Sequence, residues 1–479
     1  MNASSKQEAP NVFYRALHEK YSLEERHKIA HFKRFFECVH GLQSFQDTLI
    51  DRREELPALL KEYGIDIPVN EIPVMTREEG FTQKDFNIEN WPALKLYSDW
   101  NKERLVHHDL MRTLGETPEV NPRFDLWRKR QINRCRSELS HYAHEALYHG
   151  TAAIELSQGC SIGCWFCGIS AESYEGNFTY TNGNIELWQD SLRVLVDILG
   201  PATGAGICYW GTDPTDNPDY FKLILDFEKI TGILPPTTTA AAHKDNAWSD
   251  SMVKYTREYY TYGRFSILTP KIFKTIIDTY TADDLIDIDL FYQGKDSKIA
   301  KAESGRVIER IEKESVEFKE SLNLTDQATI ACISGFLINM VSKKVQLMSP
   351  CRASNEWPLG FRVYAEGHFN NAKELRQSIN KIINDCMPEK LSGDAIIRFR
   401  KDLAFENIPN GFTLTSPVRQ HTLTGTKAHQ RIGEIISEGP CTVSDVTRAL
   451  IQEGVDIFLA ADLIQKLYEA ALIEETIRN

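Results

Sequence analysis

Cys160, Cys164 and Cys167 form a Cys-x3-Cys-x2-Cys triplet, with Phe166 just before the last cysteine. Thiolates are soft ligands that select iron–sulfur, zinc or copper(I). Three of them at this spacing can hold three irons of a [4Fe–4S] cubane and leave the fourth iron open to a small molecule. The surrounding sequence suits a bulky cluster. The apolar run Ala152–Leu156 reads as a buried strand, and Gly159, Gly163 and Gly168 allow tight turns in the loop behind it. A three-cysteine structural zinc site is the competing reading. Zinc ordinarily takes a fourth His or Cys close by, and no His occurs between His149 and His243.

The triplet resembles that of the radical S-adenosylmethionine (SAM) enzymes. The resemblance implies a [4Fe–4S] cluster whose open iron chelates the amino and carboxylate groups of SAM. Its reductive cleavage gives a 5′-deoxyadenosyl radical that takes a hydrogen atom from the substrate. Trp210-Gly211-Thr212-Asp213-Pro214 resembles the family's Gly-Gly-Glu-Pro motif, with Thr212 for the second Gly and Asp213 for the Glu. Gly211, Thr212 and Asp213 are thereby expected at the SAM ammonium, although an ordinary strand-end turn has the same composition. By the same resemblance Phe166 lies near the adenine and Ser266 near the ribose, and Ser334 with Gly335 lines the adenine pocket.

Cys351 is the second chemical candidate. It follows Pro350, precedes Arg352 and a turn-rich segment, and has no other cysteine within 18 residues on either side. That isolation argues against a further cluster. A thiol on a loop over a radical site is a hydrogen-atom donor, because S–H is the weakest bond to hydrogen among side chains; a non-catalytic loop thiol is the alternative. The segment SPCRASNEWP, residues 349–358, completes a resemblance to the radical SAM peptide epimerases of ribosomal natural-product maturation, of the proteusin type. Those enzymes remove Hα from an L-residue of a precursor peptide, and a cysteine returns hydrogen from the opposite face.

Four regions must position these groups. Residues 1–149 read as all-α. The capping pattern Ser22-x2-Glu25 opens Leu23–Val39, and helices follow at Phe45–Tyr63, Trp91–Leu114 and Pro122–Leu147. Arg128, Lys129, Arg130, Arg134 and Arg136 read as the solvated face of an amphipathic helix, with attraction of an acidic peptide as the alternative. Residues 150–348 alternate strands (Ala152–Leu156, Gly206–Trp210, Thr238–Ala242, Arg264–Leu268, Ile286–Phe291, Thr329–Met340) with helices (Ile185–Leu199, Tyr220–Thr231, Asp250–Tyr262, Lys271–Tyr280, Ser304–Leu322). That α/β rhythm predicts a parallel sheet, and the family resemblance implies a partial (β/α)6 barrel with chemistry at the carboxyl ends of its strands. Residues 349–401 form a catalytic-loop and bridging region that includes the helix Asn370–Cys386. Residues 402–479 read as two short strands and three helices. They resemble the winged-helix peptide-recognition element related to the peptide chaperone of pyrroloquinoline quinone biosynthesis, in which a leader peptide adds as a strand.

Composition narrows the field further. Of 479 residues, 42% are hydrophobic and 26% charged, as in ordinary globular chains, and the net charge of −13 argues against a general nucleic-acid binder. No apolar run reaches the ~20 residues of a membrane span. Ten sparse cysteines and the absence of a signal-peptide pattern point to a reducing cytoplasm. The expected partners are a precursor peptide with its leader and an electron donor such as flavodoxin or ferredoxin. Two other functions compete with epimerisation: a thioether- or carbon–carbon-crosslinking maturase, and a leader-binding scaffold whose cluster is structural.

Overall fold

The computed structural model describes residues 9–72, 87–295, 297, 299–314, 319–320 and 322–475. Seven helices come first: α1 (Pro10–Lys20), α2 (Leu23–Gly41), α3 (Gln43–Asp51), α4 (Leu56–Glu62), α5 (Pro92–Leu114), α6 (Pro122–Glu138) and α7 (His141–Glu145). The capping box forms as expected, with the Glu25 amide donating to Ser22 Oγ and the Ser22 amide to Glu25 Oε2. The expected helix Phe45–Tyr63 is instead two. Pro57, which has no amide hydrogen to give, sits in the first turn of α4, so the chain breaks and restarts there. Pro122–Leu147 likewise divides at Ser140, whose hydroxyl accepts from the Ala143 amide and starts α7.

The α/β region follows. Its strands are β1 (Gly150–Glu155), β2 (Ser157–Gln158), β3 (Gly176–Asn177), β4 (Thr237–Thr239), β5 (Gly263–Ile267), β6 (Ile288–Tyr292), β7 (Lys301–Ala302), β8 (Leu324–Thr325), β9 (Ile333–Asn339), β10 (Lys344–Pro350) and β11 (Phe361–His368). Helices α8 (Asn182–Leu199), α9 (Tyr220–Thr231), α10 (Asn246–Glu258), α11 (Pro270–Thr279), α12 (Arg306–Ile311) and α13 (Ala372–Cys386) lie among them. The two larger sheets are β1-β9-β10-β11 and the parallel β4-β5-β6, and β2-β3 and β7-β8 form two-stranded ribbons. The expected strand Gly206–Trp210 is reduced to a parallel bridge between Ala153 and Ile207. The hairpin expected around Val341–Lys344 is β9 with β10. The helix expected over Ser304–Leu322 covers only Arg306–Ile311, and residues 315–318 and 321 of that expectation lie outside the described residues.

Helical periodicity supplies the packing. Trp188, Leu192, Leu195 and Leu199 put one stripe of α8 into the main core, each fully buried side chain contributing about 1.5–3 kcal/mol. The free edge of β6 is sealed by α2. The Leu290 amide donates to Glu37 Oε1 at 2.8 Å, and Lys33 Nζ donates to the carbonyls of Leu285 and Ile288. Side chains thus satisfy an edge that would otherwise invite another strand.

The carboxy-terminal part contains β12 (Ile396–Ile397), β13 (Ala404–Ile408), β14 (Gly411–Thr415), β15 (Gln420–Thr424) and β16 (Cys441–Thr442), with helices α14 (Lys427–Ser437), α15 (Val443–Gln452) and α16 (Ile457–Glu469). β13, β14 and β15 make an antiparallel sheet, one strand more than expected. Its own core takes in Ile397, Phe399, Phe412, Ile432, Leu450 and Leu463, so strand residues upstream of Asp402 pack with it.

The basic cluster of α6 overturns its expected reading. Arg128, Arg130 and Arg134 are buried, because each finds a partner far away in sequence. Arg128 donates to the His149 carbonyl, and Arg130 donates to Glu475 and stacks on Tyr468. Arg134 pairs with Glu138 and Glu474. Glu138 is itself buried, receiving Arg134 Nε at 2.8 Å and Arg362 Nη2 on both oxygens, at 2.7 and 2.8 Å, with Arg400 at 3.7 Å. Burial alone would raise its pKa, but Arg362, Arg134 and Arg400 together hold it far below the ordinary carboxylate range. The folded pKa is the lower one. The stabilisation is therefore complete above the unfolded carboxylate value of about 4.3 and fades as pH falls beneath it. Glu138→Ala, which strands three buried guanidinium groups, is expected to cost about 3–5 kcal/mol. Urea denaturation at neutral pH and near pH 3 checks both statements: the loss should be large at the first and smaller at the second.

Candidate metal centre

The three cysteines lie in the long loop between β1 and α8, all partly exposed. Gly159 begins it at φ 69°, and a Cβ there would stand 2.1 Å from the Ser173 carbonyl oxygen, so only glycine allows this turn. The stems of the loop are tied by β2 pairing with β3 and by Asn217, whose buried amide donates to the carbonyls of Leu156 and Phe178 at 2.7 and 3.1 Å. Asp216 accepts the Ser161 amide at 2.9 Å, and its carbonyl accepts from Asn177.

Arg306 closes the other side. Its amide donates to the Cys167 carbonyl, Nη1 to the Cys164 carbonyl at 3.4 Å and Nη2 to the Ala171 carbonyl. Contact this close requires Gly305, at φ 51°, where any Cβ would stand 2.4 Å from the Gly168 carbonyl oxygen. The Ala171 amide points at Cys167 Sγ, 3.4 Å away, a hydrogen bond suited to a thiolate.

The donor set fits a cluster. Burial first, then repulsion from Cys160, Cys167 and Asp213, pushes the Cys164 thiol up to about 12, and burial raises Cys160 as well. A multiply charged iron core held by these three cysteines would relieve that repulsion and favour their thiolate forms. The three sulfurs do not all lie within 4.8 Å of one another, whereas the ligand atoms of His27, His31 and Asp283 do. The His27, His31 and Asp283 group reads as a proton network. His31 Nδ1 accepts the Asp66 amide, so neutral His31 carries its proton on Nε2, toward Asp283.

The residues expected around SAM divide. Gly211 stands beside the cysteine loop, with Ile169 and Ala171 as neighbours, and its amide donates to Glu155 Oε1. Thr212 follows it in the same half-buried bend. Phe166 is half-buried, with the Lys301 ammonium 5.5 Å from its ring centre. Lys301 is itself driven down to about 8 by burial. Ser266 lies on β5, beside Phe291 of β6. Asp213 has both oxygens engaged: Oδ1 accepts from Thr215 and the Thr239 hydroxyl, and Oδ2 from the Ala240 amide at 2.8 Å. It ties this turn to β4, so its carboxylate is not open to an ammonium. Ser334 lies at the amino end of β9, fully buried and hydrogen-bonded to His149 Nδ1, away from the strand ends that carry Glu155 and the cysteine loop. That geometry corrects the expectation that it lines an adenine pocket.

Cys351 departs from expectation in exposure. It is fully buried at the end of β10, its amide bonded to the Gly360 carbonyl, and burial pushes its thiol up to about 12. β10 runs antiparallel to β9. Cys351 therefore starts from the amino ends of β1 and β9, not over the mouth. The turn that follows still reaches the cysteine loop: the Pro358 carbonyl accepts the Gly305 amide, one residue before Arg306 binds Cys167.

Sequence reasoning missed Glu155, Asp216, Asn217 and Arg306. Glu155 gave one signal, a lone acid at the end of an apolar strand. It is half-buried, accepting from the Gly211 amide and Asn339 Nδ2, each at 2.8 Å, and loss of solvation raises its pKa.

The chain is 35% identical over 471 residues to the protein named "Uncharacterized protein y4wI" of Sinorhizobium fredii (strain NBRC 101917 / NGR234), covering 97% of this chain and 90% of that one. The family model for the y4wI C-terminal domain matches residues 397–471. The chain belongs to the y4wI family. The crystal structure of BtrN in complex with AdoMet and 2-DOIA superposes with a TM-score of 0.27 at 10% identity, covering 41% of this chain and 71% of that one.

Arg306→Ala should leave the cysteines in place but release their loop. Supporting groups around metal ligands typically change affinity about 10–100-fold, so the variant, reconstituted with iron and sulfide, should lose its iron to a chelator that much more readily than wild type. Iron and sulfide assays against time, with circular dichroism to confirm the fold, measure this. Equal retention would remove Arg306 from the site.

Proposed function

We propose that the chain is a radical SAM enzyme that converts L- to D-residues in a ribosomally made precursor peptide. The observation that carries this reading is the loop of three partly exposed thiols, pinned at their backbone by Asp216 and Arg306 in a stretch with no histidine between His149 and His243. Cys160, Cys164 and Cys167 would hold the cluster. The Gly211–Thr212 backbone, Phe166 and Ser266 would line the SAM site, with Asp213 holding the turn. When bound, cluster and SAM supply an adenosyl radical that takes Hα from the peptide.

The chain's own part is to return hydrogen from the other face. Cys351 S–H gives a hydrogen atom to the α-carbon. Its sulfur is then restored by one electron from a flavodoxin or ferredoxin and one proton from solvent. A protonated thiol is the form this needs, and burial keeps Cys351 protonated at neutral pH. Donation also needs the turn behind Cys351 to lift, since the thiol is covered. A leader peptide would pair with an edge strand, β13 or β15, of the carboxy-terminal sheet.

The burial of Cys351 also favours a second reading, in which this thiol only packs and the product is a peptide crosslink. Reaction in deuterated water separates them. Epimerisation adds one deuterium per converted residue through the exchangeable thiol, whereas a crosslinker removes two hydrogens. Cys351→Ala is expected to cleave SAM, take Hα and form no D-residue, with chiral amino-acid analysis of the product as the readout. Normal D-residue formation in this variant would eliminate Cys351 as donor.

A further inference from the structure

A groove of about 840 Å³ separates the turn behind Cys351 from the carboxy-terminal domain. The volume lies in the range of ligand sites, ~300–1,000 Å³. Its floor is Arg362 on β11. One guanidinium nitrogen, Nη2, is spent on Glu138, but Nε and Nη1 are buried without an acceptor among the described residues, and the side chain is only 7% exposed. Buried donors of a charged group left unpaired are costly, so an acceptor is expected to arrive with a ligand. The opposite wall is β12 and its continuation. Ile397 and Phe399 turn into the core, leaving Ile396, 65% exposed, and Arg398 facing outward, with Lys401 beyond. An extended wall that offers an apolar and then a cationic side chain two residues on matches the period of an extended peptide.

We propose that this groove binds an acidic, extended segment of the peptide substrate, with a carboxylate on Arg362 and others along Arg398 and Lys401. The inference deepens the epimerase reading and rests on it for naming the ligand as substrate. Of the groove's lining acids, Glu138, Glu474, Glu475 and Asp402 are paired to Arg134, Arg362, Arg130 and Arg400, and Arg352 is paired to Asp326; Glu356 stands on the turn, facing a wall whose cations are Arg398 and Lys401. Being next to the turn that covers Cys351, a bound segment would lie where that turn must lift.

The full chain, without cluster, is titrated into fluorescein-labelled hexapeptides of alternating Glu and Val or alternating Lys and Val, and anisotropy is read. The acidic peptide is expected to bind, the basic one not, and Arg398→Glu with Lys401→Glu should weaken binding about tenfold or more. Both positions are exposed, so the fold is not at risk. Arg362→Lys, checked by its melting temperature, should weaken it as well, because Lys cannot reproduce the fork. No acidic preference, or binding indifferent to the double variant, overturns the groove. The probe needs neither cluster nor precursor. A failed groove with normal deuterium incorporation sinks only this inference. An acidic preference without deuterium incorporation keeps the groove and sinks the epimerase reading.

Discussion

One buried carboxylate, Glu138, holds three parts of the chain in register. Arg134 reaches it along α6, Arg362 from β11 and Arg400 from the carboxy-terminal domain. Three cations around one anion would repel one another without further partners. The structure supplies them as Glu474 for Arg134 and Asp402 for Arg400. Each group in such a knot is tolerable only while the others are present, so the carboxy-terminal domain does not dock as an independent bead. It completes the charge balance of the hairpin that carries Cys351.

The cysteine loop obeys a different economy. Its ties include backbone amides and carbonyls taken up by Asn217, Asp216 and Arg306. This is what a loop must do when its side chains are reserved for a metal core. A loop held through its backbone keeps its shape whether or not its thiols are ligated. The ties also come from both sides, from the turn at residues 211–219 and from the start of α12, so the cysteine loop bridges two segments about ninety residues apart in sequence.

Local signals were legible in the sequence; long-range partners were not. Ser22 and Glu25 announced their capping box because both halves lie within one turn. The apolar strands β1, β5, β6 and β9 and the amphipathic helices α8 to α11 followed from periodicity. The α6 arginines were read as a solvated face because a run of cations on a helix is usually that. Their acceptors, His149, Glu475, Glu474 and Glu138, are mostly distant residues that no pattern links to them. Cys351 misled for a related reason. Proline, polar residues and turns around it suggested exposure, but the segment folds back onto Gly360 and the thiol ends beneath it. Asp213 lies in a turn near the cysteine loop, but its carboxylate is taken up in holding that turn to β4.

In the proposed reaction, the geometry of Cys351 would let a donor be both covered and useful. An exposed thiol beside a radical centre would be open to oxidants and to quenching before any peptide arrives. A buried one, kept protonated by its surroundings, is safe at rest. Its cover is a short turn held at Gly360 by the Thr329 hydroxyl and the Cys351 amide, at Pro358 by the Gly305 amide and at Arg352 by Asp326. Each neutral hydrogen bond among these contributes about 0.5–1.5 kcal/mol, so lifting the turn needs a ligand whose binding offsets several of them. The same Gly305 touches the cysteine loop, so movement of the turn and the shape of that loop are mechanically linked. That linkage follows from backbone contacts alone, whatever the chemistry at the centre.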